Sequence, residues 1–254
     1  MTESTSSHKH RNPRNMNRPA PAKKWLSVLF AVIVIALLPG FAMAEEGGSG
    51  HYLPGSMASF IDGVPQKETF IIRANIIHYN GSVGATKPLR FVGKTTLGAD
   101  ASLWGVGLTA LWRPPLDLGE RWSYAMSATI PYLFMDVSVD ATIPLGSIAR
   151  SSNTNGLGDI VLMPLMLNYS VNPDFNVNFR VGTYAPTGSY KLGRLANTGK
   201  NFWTIEPILG FMYFGQKNGI EASVFVGSDF NTENQDTNYK SGTQFHLDGT
   251  LAQH

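Results

Sequence analysis

The clearest signal along the chain is a two-residue alternation of apolar and polar positions. In 175–184 (FNVNFRVGTY), Phe175, Val177, Phe179 and Val181 fall on one side and Asn176, Asn178, Arg180 and Gly182 on the other. That is the period of a β-strand with one apolar face. The same alternation sets Trp122, Tyr124, Met126, Ala128 and Ile130 against Ser123, Ala125, Ser127 and Thr129. It also sets Ile220, Ala222, Val224 and Val226 against Glu221, Ser223 and Gly227, and Phe245, Leu247 and Leu251 against Gln244, His246, Asp248 and Thr250. Weaker instances lie at 68–79, 102–112, 158–171 and 202–214, so the pattern predicts eight strands.

Many of these strands are longer than the five or six residues usual in globular sheets and suit a tilted strand that crosses a membrane. The connections are expected to alternate in length. Long loops are predicted at 80–101, 141–157, 185–201 and 229–242, and short ones at 113–121, 172–174 and 215–218. Outer-membrane barrels show this alternation, with tight periplasmic turns and extended outer loops. The fold class expected is therefore all-β, an antiparallel up-and-down transmembrane β-barrel with at least eight strands. Closure satisfies the backbone groups for which lipid offers no partners. Trp104, Trp112, Trp122, Tyr124, Trp203 and Tyr213 lie near strand ends or on lipid-facing rows, as an interfacial girdle requires. A soluble secreted β-sandwich, whose core is also aromatic-rich, is the alternative.

Composition places the chain in a compartment. The stretch 25–38 (WLSVLFAVIVIALL) is preceded by Lys23-Lys24 and followed by Pro39-Gly40 and Ala42-Met43-Ala44. It has the basic, apolar and small-residue regions of a secretory signal peptide and is short for a membrane span. Cleavage is expected between Ala44 and Glu45, so that 1–44 is the signal, 45–67 a lead-in or plug segment and 68–254 the barrel. Six of the 20 Lys/Arg and one of the 18 Asp/Glu lie in 1–44, which leaves 14 bases against 17 acids and a net charge of −3 for the remainder. A nucleic-acid-binding body is disfavoured. With no cysteine there is neither a disulfide framework nor a thiolate site. Charged residues, at 15%, fall below the roughly 25% of soluble domains. The expected location is the bacterial outer membrane, with membrane lipid and the barrel-assembly machinery as partners.

Little in the chain points to catalysis or to a cofactor. Gly93-Lys94-Thr95 lacks the upstream glycine of a phosphate loop, since Pro88 stands there. Gly156-Leu157-Gly158 lacks the third glycine of a dinucleotide turn and reads as a loop entering a strand. The stretch Asp229-Phe230-Asn231-Thr232-Glu233-Asn234 resembles the start of a calcium loop, but Asn234 replaces the glycine and Lys240 the closing glutamate, so a polar surface loop is expected. A hydrolase would need a serine near His78 or His246, and no spacing rule supplies one. No metal, cofactor or catalytic residue is assigned. Strand parity places Arg73, Asn75, Asn176, Arg180, Glu206, Glu221, Gln244, His246 and Asp248 on polar, lumen-facing rows, where they line a substrate path or pair across the barrel.

Four motifs occur in order: Gly48-Ser49-Gly50-His51-Tyr52-Leu53-Pro54-Gly55, Gly156-Leu157-Gly158-Asp159-Ile160, Tyr184-Ala185-Pro186-Thr187-Gly188-Ser189-Tyr190 and Asn197-Thr198-Gly199-Lys200-Asn201-Phe202-Trp203. From about residue 48 to the end, the chain resembles the family named for the meta-pathway of phenol degradation, a group of outer-membrane transporters. The resemblance implies passive passage of phenol-like or other small hydrophobic and aromatic molecules. A structural or adhesin-like surface barrel is the alternative within the same fold. Family members continue with further strands, and outer-membrane barrels usually end in an aromatic residue, whereas this chain stops at Leu251-Ala252-Gln253-His254. A larger barrel of about twelve strands, of which this chain carries part, is the expectation.

Overall fold

Eight long strands follow one another around a single antiparallel sheet that curls into a half-barrel. The computed structural model describes residues 50–57, 59, 62–89, 93–143 and 146–254; the expected signal segment and the expected Ala44–Glu45 cleavage point lie outside them. The strands are β1 (Thr69–Leu89), β2 (Gly93–Arg113), β3 (Trp122–Ile143), β4 (Gly146–Leu157), β5 (Ile160–Asn172), β6 (Phe175–Ala185), β7 (Thr204–Phe214), β8 (Ile220–Asn231), the two-residue pair β9 (Glu233–Asn234) and β10 (Tyr239–Lys240), and β11 (Gln244–Gln253). The sheet order is β1-β2-β3-β5-β6-β7-β8-β11, with β4 paired to β3 off this path, so each strand pairs with ones close to it in the chain. Among the described residues, β1 and β11 end this path.

Two expected loops are instead strand. The stretch 80–101 continues β1 and β2 as one ladder, in register from Thr69↔Arg113 to Leu89↔Gly93. The stretch 141–157 is the end of β3 and the whole of β4. In these extensions the outward positions turn polar, as with Asn80, Asp100, Asp136 and Asp140. On β3 the period continues with its faces exchanged, Met135, Val137 and Val139 now inward, while the backbone ladder persists.

β4 and β5 behave as one interrupted strand. β4 pairs with the distal half of β3 and β5 with its proximal half, and the break between them is Gly158-Asp159. Within β5 a bulge shifts the register between Leu162 and Leu165. Pro164, which has no N–H to give the ladder, sits inside it, and its carbonyl accepts a hydrogen bond from Tyr124 at 2.7 Å. The bulge keeps Met163 and Met166 on the same face across an odd spacing, and this is why 158–171 alternates weakly.

The two faces of the sheet have opposite character. Phe70, Ile72 and Ile76 of β1, Trp104, Val106, Leu108 and Trp112 of β2, and Ile205, Leu209 and Phe211 of β7 are exposed on the convex side. The concave side buries Asn178, Arg180, Glu206, Glu221, Ser223, Asp229 and His246. A water-soluble sheet does the reverse.

The chain from His51 to Pro65 crosses this concave face. Met57 packs with Ile208, Met212 and Phe225, and Val64 with Ala125 and Met166. Polar contacts tie the same segment to the wall: Arg73 Nη1 reaches Asp62 Oδ1 at 3.3 Å, Ser59 Oγ donates to Glu221 at 2.8 Å, and Arg113 donates to the Pro65 carbonyl. Met57 and Val64 thus cover two apolar patches in a hollow whose wall is otherwise largely polar.

Candidate functional site in the concave wall

All nine residues that strand parity assigned to the interior lie on the concave side. Asn176 Oδ1 accepts from Asn168 Nδ2 at 3.0 Å and Ser170 Oγ at 2.8 Å. Arg180, 2% exposed, donates from Nε to Asn178 Oδ1 at 2.6 Å and from Nη2 to the Asp62 carbonyl at 2.8 Å, with Cζ 5.2 Å from the centre of the Phe225 ring. Glu221 holds Ser59 and, through its other oxygen, His254 Nε2 at 2.8 Å. Asp248 accepts from the Tyr52 hydroxyl and from the Gly55 amide at 3.0 Å. Burial and then the Asp248 carboxylate raise the Tyr52 phenol well above its ordinary range, so it stays a donor. Gln244, His246 and Asp248 line a cavity of about 310 Å³ with Tyr52 and Pro54. Arg73 and Asn75 are half-buried near the start of β1.

A second cluster gathers the four sequence motifs. Asp159, at the β4–β5 break, accepts from His51 Nε2 at 2.8 Å, the Gly188 amide at 2.8 Å and the Lys200 amide at 2.7 Å. On the other side of the imidazole, Nδ1 lies 2.6 Å from Thr204 Oγ1, whose own proton goes to Asn231 Oδ1. Both ring nitrogens therefore have a partner, one on each side of the ring. His51 also stacks on Tyr184 at 4.8 Å and meets the edge of Phe202 at 5.0 Å. Gly188 and Gly199 cross so closely that a Cβ on either would come within 2.7 Å of the other's backbone. Glycine at both positions is what brings two amides to one carboxylate. Thr198 Oγ1 closes the cluster on the Leu157 carbonyl at 2.8 Å.

The third arrangement is titratable and fully buried. Glu206 of β7 and His246 of β11 flank β8, and Oε1 of the former lies 2.9 Å from Nε2 of the latter. Asp229 Oδ1 is 3.9 Å from the same nitrogen. Glu206, Asp229 and His246 are 0%, 0% and 7% exposed. Tyr184 donates to Glu206 Oε2 at 3.2 Å, and Tyr52 stacks on the His246 ring at 3.8 Å. One ligand atom from each of the three lies within 4.8 Å of the other two, where the sequence assigned no metal ligand.

Sequence reasoning missed Asp229 and Asp159. The stretch from Asp229 to Asn234, expected as a polar surface loop, instead buries Asp229, Asn231 and Asn234, because β8 runs on to Asn231. The inward parity that marked Glu221 also marks Asp229, eight residues on. Asp159 carried no comparable signal beyond its place in a glycine-flanked motif.

Comparison with known proteins gives one match. No curated protein and no solved structure matches the chain. A family model described as "Putative MetA-pathway of phenol degradation" matches residues 86–254, which takes in the whole sheet from the outer end of β1 and three of the four motifs, and leaves His51 outside. On the strength of that match over more than half its length, the chain belongs to the phenol-degradation meta-pathway family.

Proposed function

We propose that the chain forms an outer-membrane β-barrel channel that passes small hydrophobic or aromatic, phenol-like molecules by passive diffusion. One observation carries the reading: apolar side chains cover the convex face and charges line the concave one. This is the polarity of a barrel in lipid with a polar interior. On β3 the exposed aromatics Trp122 and Tyr132 are ten residues apart. At about 3.3 Å per residue and a tilt of about 40°, that spans about 25 Å, the height of the lipid-facing band. The edges β1 and β11 must be paired in lipid, since the hydrocarbon supplies no hydrogen bonds. The family description, which names phenol degradation, supports a phenol-like substrate.

In this reading the segment from His51 to Pro65 is a plug in the path, and the polar wall and outer hairpins select what enters. The protein reconstituted in liposomes is expected to accelerate phenol equilibration over protein-free vesicles, and removal of 50–65 to accelerate it further and relax its size selectivity. Equal rates with and without protein would overturn the transport reading and leave a structural surface barrel. A separate result tests the membrane itself. Leu108, exposed on the apolar row of β2 opposite Ile130, is expected to cost about 1–3 kcal/mol when replaced by arginine, as a charge inside the bilayer but off its midplane does. A chemical-denaturation midpoint measures this on the folded, heat-modifiable form, the one whose gel mobility in detergent shifts on boiling. In a soluble sandwich the same exposed substitution would be nearly neutral.

A further inference from the structure

We propose that Glu206, Asp229 and His246 form a binding site for a small divalent transition ion of the zinc type. The proposal stands whether or not the channel reading holds, because it rests on the wall alone. Two carboxylates and an imidazole supply one ligand atom each within 4.8 Å, the donor number of a three-ligand site with a fourth position left for water. The nitrogen donor favours a borderline ion over calcium or magnesium, which take oxygen.

The second observation is the state of the imidazole. His246 is 7% exposed, yet neither ring nitrogen has a hydrogen-bond partner, and Glu206 Oε1 also lacks one. The 2.9 Å between Nε2 and Oε1 is an ion-pair distance without hydrogen-bond alignment. Buried polar atoms are almost always satisfied, and a nitrogen and an oxygen that approach without aligning point instead at a shared neighbour. Arg180, a buried cation of the same wall, is turned to Asn178 and Asp62. A divalent ion would balance the two carboxylates.

The surroundings are those of a held ligand set. Tyr184 orients Glu206 through Oε2, leaving Oε1 for the ion, and Tyr52 covers the face of the His246 ring. Outer hydrogen bonds of this kind fix ligand orientation. Between the two ligand strands stands Gly227, opposite His246 in the β8–β11 register, and a Cβ there would collide with the imidazole. Glycine makes the room that lets the ring reach across β8.

The test uses Co²⁺ as the probe on the detergent-extracted chain, stripped with a chelator, with the exposed His78 and His254 and, where residues 1–44 are retained, His8 and His10 replaced by alanine to remove competing imidazoles. We expect one Co²⁺ per chain with visible ligand-field absorption. His246→Ala abolishes it, and Tyr184→Phe weakens binding about tenfold, as loss of an outer-shell hydrogen bond does. Absence of stoichiometric Co²⁺ in the parent, or binding unchanged by His246→Ala, would overturn the site. Should His246→Ala fail to reach the heat-modifiable form, the parent decides alone through Cu²⁺ electron paramagnetic resonance. Splitting from an imidazole nitrogen supports the assignment, and its absence overturns it.

Discussion

Asp159→Ala is expected to destabilise the folded form by about 3–5 kcal/mol, because it strips the acceptor from three donors at once. The side chain is 3% exposed and receives His51 Nε2 and the amides of Gly188 and Lys200. A buried donor left without a partner costs about 1–3 kcal/mol, and partial entry of water keeps the total below the simple multiple. Asp159→Asn recovers only part, since its amide presents N–H groups where three donors already point. The denaturation midpoint of the heat-modifiable form measures the loss. Trypsin gives the location: Lys200, half-buried and tied through its amide to Asp159, should become a cleavage site together with the exposed Lys191. A change within about 0.5 kcal/mol, the range of ordinary surface substitutions, would remove Asp159 from its central role.

Arg180→Ala is expected to cost about 3 kcal/mol, from two charge-assisted hydrogen bonds and the volume of a fully buried side chain. Its guanidinium joins the wall, through Asn178 and Phe225, to the crossing segment, through the Asp62 carbonyl and the Met57 sulfur at 3.4 Å. The sheet ladders do not depend on it, so the strands should survive while the segment between Met57 and Asp62 lets go. Under the channel reading, the solute flux of this variant should rise towards that of the chain lacking 50–65. Arg180→Lys keeps the charge but cannot reach Asn178 and Asp62 with one planar fork, and is expected to lie nearer the alanine variant than the parent. Loss of stability with unchanged flux would separate Arg180 from control of the path.

The rows that carry these residues were legible because the two sides of the wall ask for opposite chemistry. On β6 and β11, and more weakly on β7 and β8, where Ile208, Met212 and Phe225 interrupt the inward row, polar and apolar positions alternate, so Asn176, Arg180, Glu206, Glu221, His246 and Asp248 could be assigned a face from parity. The distal halves of β1 to β4 were not legible. Their outward faces turn polar, as on β3, where Asp136, Ser138 and Asp140 face out while Met135, Val137 and Val139 stay inside, so the face assignment reverses part-way along one continuous ladder. Pro164 hid the period of β5 in another way, by inserting a bulge. The Asp159 cluster lay beyond any local rule, since its partners are 29, 41 and 108 residues away and meet only when the sheet curls. Asp229 was readable in hindsight by extending the β8 parity, but its oxygen-rich neighbours looked like a solvated loop.

The crossing segment also fixes an order of events in folding. Its polar contacts join residues 153, 162 and 196 positions apart: His51 with Thr204, Ser59 with Glu221, and Tyr52 with Asp248. Loop closure over such separations has its entropy repaid only when the far strand is already in place, and topologies dominated by distant pairs fold slowly. The hairpins from β1 to β8 can zip up neighbour by neighbour, whereas the segment that carries His51, Tyr52 and Ser59 must wait for β7, β8 and β11, all of which are made after it. Synthesis order and docking order therefore run in opposite directions, and for that interval the hollow holds water where Met57 and Val64 will later sit.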